Sequence, residues 1–392
     1  MHMYKMNQIK GLSFSHFLRP WCLALTLLLQ LRAGGVQAQV MPHHLDAMTT
    51  GQECRIVFDM GSSGIRVEVT GAGDRVRMPS RDIDVLTPLI RGKGLDSSLS
   101  AVQNALVELP MQAKLPMSCI QLGGGFSAWR LAWQQNSEKL TRQLTALREQ
   151  TGVAVLIIPA AIEGRYGHDS AQQALGQKLQ TSHILDIGGG SMQVAGRDRS
   201  FGIEFGQKSW LNHICQSLKR DGDEICQLLP LRPGELQYVR DLADQKLKTL
   251  STEVGSGTLT AISRPVTRGI RSALLSQGML HGDAILLREL SLTLELLSAY
   301  PLPELVGLTQ LPMNYANYLV SDMLLVEGVL RAMKLDSLAL AEAPINNLPA
   351  LMQDERAFEW AKAYTCYLQE LRQLGPAAYF VDPAKCANPS RP

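Results

Sequence analysis

Apolar and polar positions fall into a regular order from Arg55 onward. "RIVFDM" is an apolar run interrupted near its end by one aspartate, "GSS" breaks it, and "GIRVEVTG" alternates with period two. That pattern predicts two short strands joined by a tight turn. "DRVRMP" (Asp74 to Pro79) reads as a third strand. "SSLSAVQNALVEL" has helical apolar spacing and should end before Pro110. "CIQLGGG" reads as a buried strand running into a glycine loop, and "SEKLTRQLTALREQTG" as an amphipathic helix from Ser137 to a stop at Gly152. "VAVLIIP" is another buried strand, and "AAIEGRYGHDSAQQAL" is helical in composition. Strands alternating with helices predict an α/β sheet covered by helices.

The first pattern then recurs. "SHILDIGGGSMQVAG" (Ser182 to Gly196) is again an apolar strand, an aspartate, a Gly/Ser turn and an alternating strand. The chain therefore carries a duplication at the level of a motif. Helical segments follow in "QKSWLNHICQSLKR" and "PGELQYVRDLADQKLKTL", and "EVGSGTLTAI" resembles a third strand-to-glycine turn at Gly255–Thr258. From Gly282 the text is mostly helical: "LRELSLTLELLSAY", "YANYLVSDMLLVEGVLRAMKL" and "DERAFEWAKAYTCYLQELRQL". "LGQKLQTSH", around residue 178, separates the two copies. The expected organisation is one lobe over 52–177, a second over 178–345 and a C-terminal helical tail over 346–392.

The first forty residues stand outside this pattern. Lys5, Lys10 and Arg19 precede the apolar stretch "WCLALTLLLQL", and "RAGGVQA" then ends in the small-x-small sequence Val36-Gln37-Ala38. A basic region, a short apolar region and a small-residue site describe a secretory signal peptide over 1–38, cleaved after Ala38. The apolar run is shorter than the ~20 residues a membrane span needs, although an uncleaved anchor is the competing reading. The expected location is secreted or periplasmic. A formal net charge of +2, with no run of like charge, leaves no footprint for nucleic acid or an anionic membrane. Of seven cysteines, Cys22 departs with the signal. Cys54, Cys119, Cys215, Cys226, Cys366 and Cys386 remain, an even set that favours disulfides in an exported chain. No Cys or His spacing suits zinc. Sequence leaves the connectivity open. Proximity favours Cys215–Cys226 and Cys366–Cys386, which leaves Cys54 and Cys119, each just before a strand-like run. Two parallel neighbouring strands would place that last pair at one sheet edge.

The candidate chemistry lies in the repeated turns. A turn whose successive N–H groups point outward is an anion-binding nest, and two such turns facing each other hold adjacent phosphates of one ligand. Gly61, Ser62, Ser63 and Gly64 form the first, and Gly188, Gly189 and Gly190 the second. Asp59 and Asp186 end the two strands at matched positions, a pair suited to a divalent ion held largely through water, as Mg²⁺ is. Met60, Trp129 and Met192 read as packing residues, and His43, His44 and His168 show no paired spacing.

These residues resemble the actin-like superfamily in its phosphoanhydride-hydrolase branch. "DMGSSGIR" (Asp59–Arg66) is similar to the first conserved region of the ecto-apyrases, with Ile65 where threonine is usual. "GFSAWRLA" (Gly125–Ala132) resembles the "ATSALR" element of the exopolyphosphatase/guanosine-pentaphosphatase family, with Phe126 in place of threonine. "IPAAIEGRYGH" resembles the segment that carries a catalytic glutamate, here Glu163, with Ile162 replacing the first glutamate of the apyrase pattern. "LDIGGGSMQV" matches the last phosphate loop of both families, and Gln193 is the apyrase choice. "FGIEFGQKSW" and the stretch from Pro303 to Leu340 resemble the second exopolyphosphatase lobe, but "AEAPINN" stands where that family has Arg-Glu-Gly.

The resemblance implies an α/β, two-lobed actin-like (ribonuclease H-like) fold, with duplicated sheet-plus-helix lobes and a catalytic cleft between them. It implies a metal-dependent hydrolase that releases terminal phosphate, acting on polyphosphate or a guanosine pentaphosphate-type substrate, while export is the expectation from the signal-like N-terminal segment. Asp59 and Asp186 would hold Mg²⁺, or Mn²⁺ or Ca²⁺, through waters. Glu163 would accept the proton of the attacking water, Ser191 and Gln193 would orient that water, and Arg130, with Arg66, would neutralise phosphate charge. A homodimer is a possible state. An apyrase-like nucleotidase and a non-catalytic phosphate-binding protein are the alternatives, the latter motivated by Phe126, Ile162 and the missing Arg-Glu-Gly.

Overall fold

The structure is a computed structural model that describes residues 53–69, 78–220, 226–280 and 282–386. The expected signal peptide, His43, His44 and most of "DRVRMP" lie outside the described residues. β1 (Arg55–Met60) and β2 (Gly64–Val69) form the first hairpin, with Asp59 opposite Arg66. β3 (Ser80–Asp82) continues antiparallel beyond β2, while β4 (Ile120–Gly125) and β5 (Ala154–Ile157) add in parallel beyond β1. The order is β3-β2-β1-β4-β5.

The second sheet repeats this order. β6 (His183–Ile187), β7 (Met192–Gly196), β8 (Ser200–Ile203) and β9 (Leu259–Ala261) are followed by β10 (Ala284–Leu286) and β11 (Ser337–Leu340). Read from β8, the sheet runs β8-β7-β6-β9-β11, with β10 added antiparallel at the edge. Two copies of one strand order, each carrying an aspartate at the end of its first strand, make the two-lobed α/β fold of actin-like proteins.

Local departures from the sequence pattern have packing causes. Gly123–Gly125 lie in β4 rather than in a loop, paired with Phe58–Met60 of β1 and Val155–Ile157 of β5, and they are glycine because a Cβ would meet Met60 Sδ at 2.6 Å, Leu351 Cδ2 at 2.9 Å and Trp129 Cγ at 2.9 Å respectively. The helix Asp96–Gln112 runs past Pro110. Pro110 falls in the last turn, where the missing N–H costs one helical bond, and Leu106, Leu109 and Pro110 are all buried. The helix Ser137–Thr151 is capped by the Asn136 side chain and stops at Gly152, whose φ of +75° suits a residue without Cβ. Gly255–Thr258 precedes β9 instead of following it, so it is no third phosphate loop.

The helix Ala160–Leu175 leaves β5 of the first sheet and packs against β7 and β8 of the second. Gly164 and Gly167 make that approach possible, since a Cβ at Gly164 would fall 3.2 Å from Ala195 Cβ, and one at Gly167 3.3 Å from Ile184 Cδ1. The segment after β11 returns to the first lobe: residues from Leu348 to Tyr379 belong to its apolar core. Tyr364 and Tyr367, in the helix Tyr364–Leu374, cover β5. Their hydroxyls accept from the N–H groups of Val155 (3.3 Å) and Ile157 (2.7 Å), satisfying an edge strand. Disulfides join Cys54–Cys119, Cys215–Cys226 and Cys366–Cys386. The first lies beside the parallel pair Arg55–Ile120 of β1 and β4.

One buried charge in the second lobe sets a pH dependence. Asp322 is 2% exposed within the helix Met313–Met333. Its Oδ2 accepts from Gln207 Nε2 at 2.7 Å, and its Oδ1 has no partner among the described residues. Burial pushes its carboxyl up to about 8 against the opposing pull of Gln207. The folded protein thus holds a proton that the unfolded chain releases near pH 4, and this contribution to stability is lost as pH rises toward 8. Asp322→Asn should therefore stabilise the fold, with little gain at pH 4 and a gain that grows to pH 8. Urea midpoints at several pH values measure it, and a pH-independent difference would contradict the assignment.

Candidate active site

The same backbone turn is built twice. Gly61 N–H donates to the Gly64 carbonyl at 3.0 Å, and Gly188 N–H donates to the Ser191 carbonyl at 2.9 Å. The carbonyls inside each turn are taken by the segment that follows. Ser62 O accepts from Val85 and Leu86, and Ser63 O from Ile83. Gly188 O accepts from Gln207, and Gly189 O from Lys208. Among the described residues, the N–H groups of Ser62, Ser63, Gly189 and Gly190 donate to no backbone carbonyl. Backbone donors left over in this way need an acceptor from outside the chain. The two turns also touch, because a Cβ on Gly189 would lie 2.9 Å from Ser62 Cβ. Ser62 Oγ in turn shares a hydrogen bond of 2.8 Å with Ser127 Oγ.

Asp59, Glu163 and Asp186 converge on one cavity of about 540 Å³, together with Gly61, Ser62, Ser63, Gly64, Gly188 and Gly189. Glu163 stands one turn into the helix Ala160–Leu175 and is 6% exposed. Its Oε2 accepts from Arg130 Nη1 at 2.7 Å, Gln193 Nε2 at 3.1 Å and Ser191 Oγ at 3.5 Å. Among the described residues nothing donates to Oε1, so one oxygen is fastened and the other is available.

Arg130, Ser191, Gln193 and Gly190 are not in the cavity wall. Arg130 was expected on phosphate. It is 3% exposed and lies behind Glu163, bonded also to Glu204 (2.5 Å) and the Ile158 carbonyl (2.9 Å). A guanidinium taken out of water binds the nearest carboxylates. Ser191 and Gln193 likewise hold the glutamate rather than reach into the cavity.

The carboxylates are poorly neutralised. Burial raises Glu163 above its usual range against the pull of Arg130. Burial also raises Asp59, with Arg66 opposing from 3.4 Å. Asp186 faces Gln193 at the register position where Asp59 faces Arg66, so it has no cation of its own. Burial, then the charges of Glu163 and Asp59, push it up to about 7. Among the described residues no group of three His, Cys, Asp or Glu converges as a complete metal cage. Two hard-oxygen carboxylates that repel each other do fit a hydrated divalent cation such as Mg²⁺, whose other ligands are waters and substrate oxygens.

Several wall residues were not singled out from sequence. Ser263, Arg264 and Pro265 follow β9, and Gln207 and Lys208 open the helix after β8. Asn346 and Asn347 come from "AEAPINN", after β11. The signal that would have found Ser263 and Arg264 is positional: ligands bind beyond the carboxyl ends of parallel strands, and these residues directly follow β9. Of the unusual residues, Phe126 lines the cavity, Ile65 is buried in the first core, and Ile162 lines a separate cavity with Arg165 and Tyr166.

No protein-family model matches the sequence, and no curated protein matches it. Solved structures do match. A Ppx/GppA phosphatase of Aquifex aeolicus superposes with a TM-score of 0.56 at 14% identity, covering 77% of this chain and 98% of that one. A second structure of the Aquifex aeolicus family member gives 0.58 at 15% identity, over 76% and 96% of the two chains. An exopolyphosphatase from Cytophaga hutchinsonii gives 0.56 at 16% identity, over 76% and 97%. The fold is that of the Ppx/GppA phosphatases. In this Ppx/GppA fold, the glutamate of one lobe reaches the phosphate-type turn of the other through its bridging helix.

Arg130 is the counter-charge that makes Glu163 tolerable inside the protein. Arg130→Met should cost about 3–5 kcal/mol of stability, because it strands a buried carboxylate. Adding Glu163→Gln to that variant should restore most of the loss. Urea unfolding of the single and double variants tests the coupling, which is absent if the two losses simply add.

Proposed function

We propose that this protein is an exported, divalent-metal-dependent hydrolase of phosphoanhydrides that releases terminal phosphate, with linear polyphosphate as the leading substrate. The observation that carries the reading is the pair of facing turns with unpaired N–H groups beside a glutamate that keeps one oxygen free. Terminal phosphate oxygens accept from the N–H groups of Ser62, Ser63 and Gly189, the unpaired donors in the cavity wall. Little covalent chemistry is asked of the protein in such a reaction, and rigid donors aimed at developing charge do most of the work. Glu163 Oε1 takes the proton from the attacking water. Arg130, Gln193 and Ser191 fix the carboxylate by Oε2, so that its free oxygen keeps one direction. Asp59 and Asp186 would hold Mg²⁺, Mn²⁺ or Ca²⁺, which supplies charge neutralisation at the phosphate oxygens. Arg66, Lys208 and Arg264, all in the cavity wall, balance the rest of the substrate's charge. The disulfides support export to an oxidising compartment. Among the described residues no helix is long and apolar enough to cross a membrane.

A phosphate-release panel of long-chain polyphosphate, guanosine pentaphosphate, ATP and ADP tests the reading. Polyphosphate should turn over in the presence of Mg²⁺, and chelation should abolish release. Glu163→Gln should lower kcat by about 10²–10⁴-fold, the usual worth of a positioned base. Faster release from ATP would make the protein a nucleotidase. A folded protein inactive on every substrate with Mg²⁺, Mn²⁺ and Ca²⁺ would make it a phosphate-binding protein.

A further inference from the structure

Glu204 touches neither the catalytic cavity nor Glu163, yet it holds the arginine that does hold Glu163. It follows β8 of the second sheet and precedes the helix Gln207–Ser217. Arg130 stands on the first lobe, in the helix Ser127–Gln135. The Glu204 carboxylate takes one edge of the guanidinium. Its Oε1 accepts from Nε at 2.5 Å and its Oε2 from Nη2 at 3.2 Å. The third nitrogen, Nη1, donates to the Ile158 carbonyl at 2.9 Å and to Glu163 Oε2 at 2.7 Å.

This division of donors is the reverse of what burial alone favours. A guanidinium binds a carboxylate most strongly through two parallel N–H groups, one to each oxygen. The buried carboxylate has more to gain from that contact, because water cannot supply a missing donor there. Arg130 nevertheless gives the two-point contact to Glu204, whose side chain is 41% exposed, and a single nitrogen to buried Glu163. The guanidinium is fastened at both ends. It cannot turn a second N–H onto Glu163 without breaking the Glu204 pair or the Ile158 bond. With Glu204 removed, only Nη1 is anchored, and the plane can turn until both oxygens of Glu163 are engaged.

We infer that Glu204 is a positioning residue for Glu163: it fixes Arg130 from the second lobe, confines it to Oε2, and so keeps Oε1 free. The catalytic consequence rests on the reading of Glu163 as the base of a phosphoanhydride hydrolase. The geometric part stands on the hydrogen bonds alone.

The test combines crystal structures with steady-state kinetics for Glu204→Ala and Glu204→Gln. The glutamine keeps the size of the side chain but offers a single acceptor, so it breaks the two-point contact even where the alanine variant is less stable. A thermal melt verifies that each variant is folded. In both structures Arg130 should turn and bring a second N–H to Glu163 Oε1, at about 3 Å. Kinetics use long-chain polyphosphate or ATP with Mg²⁺, whichever the wild type hydrolyses. There kcat should fall about tenfold or more with KM unchanged, as expected when a group acting only in the transition state is captured. Either an Oε1 that Arg130 still leaves free or an unchanged kcat would overturn the role of Glu204 and leave the hydrolase reading intact. If the wild type hydrolyses neither substrate, the hydrolase reading fails, and the variant structures decide the geometry alone. Capture of Oε1 by Arg130 would then support it, and an unmoved guanidinium would refute it.

Discussion

Nothing larger than a hydrogen fits at position 189 facing Ser62, and the architecture depends on that contact. It allows two backbone turns from different sheets to approach until their unpaired N–H groups share one small volume. The bridging helix Ala160–Leu175 must then lie close enough to the second sheet to bring Glu163 into the same volume, and Gly164 and Gly167 permit it. Gly206 serves the same purpose from behind, since a Cβ there would lie 2.6 Å from Ser191 N. The glycines in this region therefore mark surfaces of contact between backbones more than points of flexibility.

Charge follows from the same closeness. Four carboxylates, Asp59, Asp82, Glu163 and Asp186, share the wall of one cavity, and the register supplies an arginine opposite Asp59 but a glutamine opposite Asp186. The first lobe spends Arg130 on holding Glu163, so it is unavailable to a ligand. The cations in the wall are Arg66, which pairs with Asp59, Lys208, which pairs with Asp84, and Arg264, and they come from three different elements around the cavity. The result is a site of mixed sign in which a negatively charged ligand and a positively charged ion reinforce each other's binding.

Much of this was legible in the sequence. The repeated strand–Asp–Gly/Ser–strand pattern disclosed the duplication, because the spacing of alternating apolar residues around a Gly/Ser turn is a local property. Asp59, Glu163 and Asp186 do meet in one cavity. What could not be read was direction. Arg130 looked like a phosphate ligand, and only tertiary packing turns it behind the glutamate. The glycine run at 123–125 looked like a loop, and only the bulk of Met60, Leu351 and Trp129 explains why a strand lacks side chains there. Ser263 and Arg264 were missed because "ISRP" has no glycine to advertise a turn, and its importance comes from sitting after a parallel strand.

The return of the C-terminal segment to the first lobe orders the birth of the molecule. The second core draws on one continuous stretch, from Leu185 to Met333 and Leu338, whereas the first needs residues 56–166 together with 348–379. A chain made from its N-terminus therefore presents its first lobe early and completes it only after the second. Until Tyr364 and Tyr367 arrive, the backbone of β5 is an open edge, able to pair with another chain. The second lobe can close meanwhile, and the Cys366–Cys386 bond becomes possible only after Cys386 has been made. Truncation before Leu348 thus strikes the half that was made first.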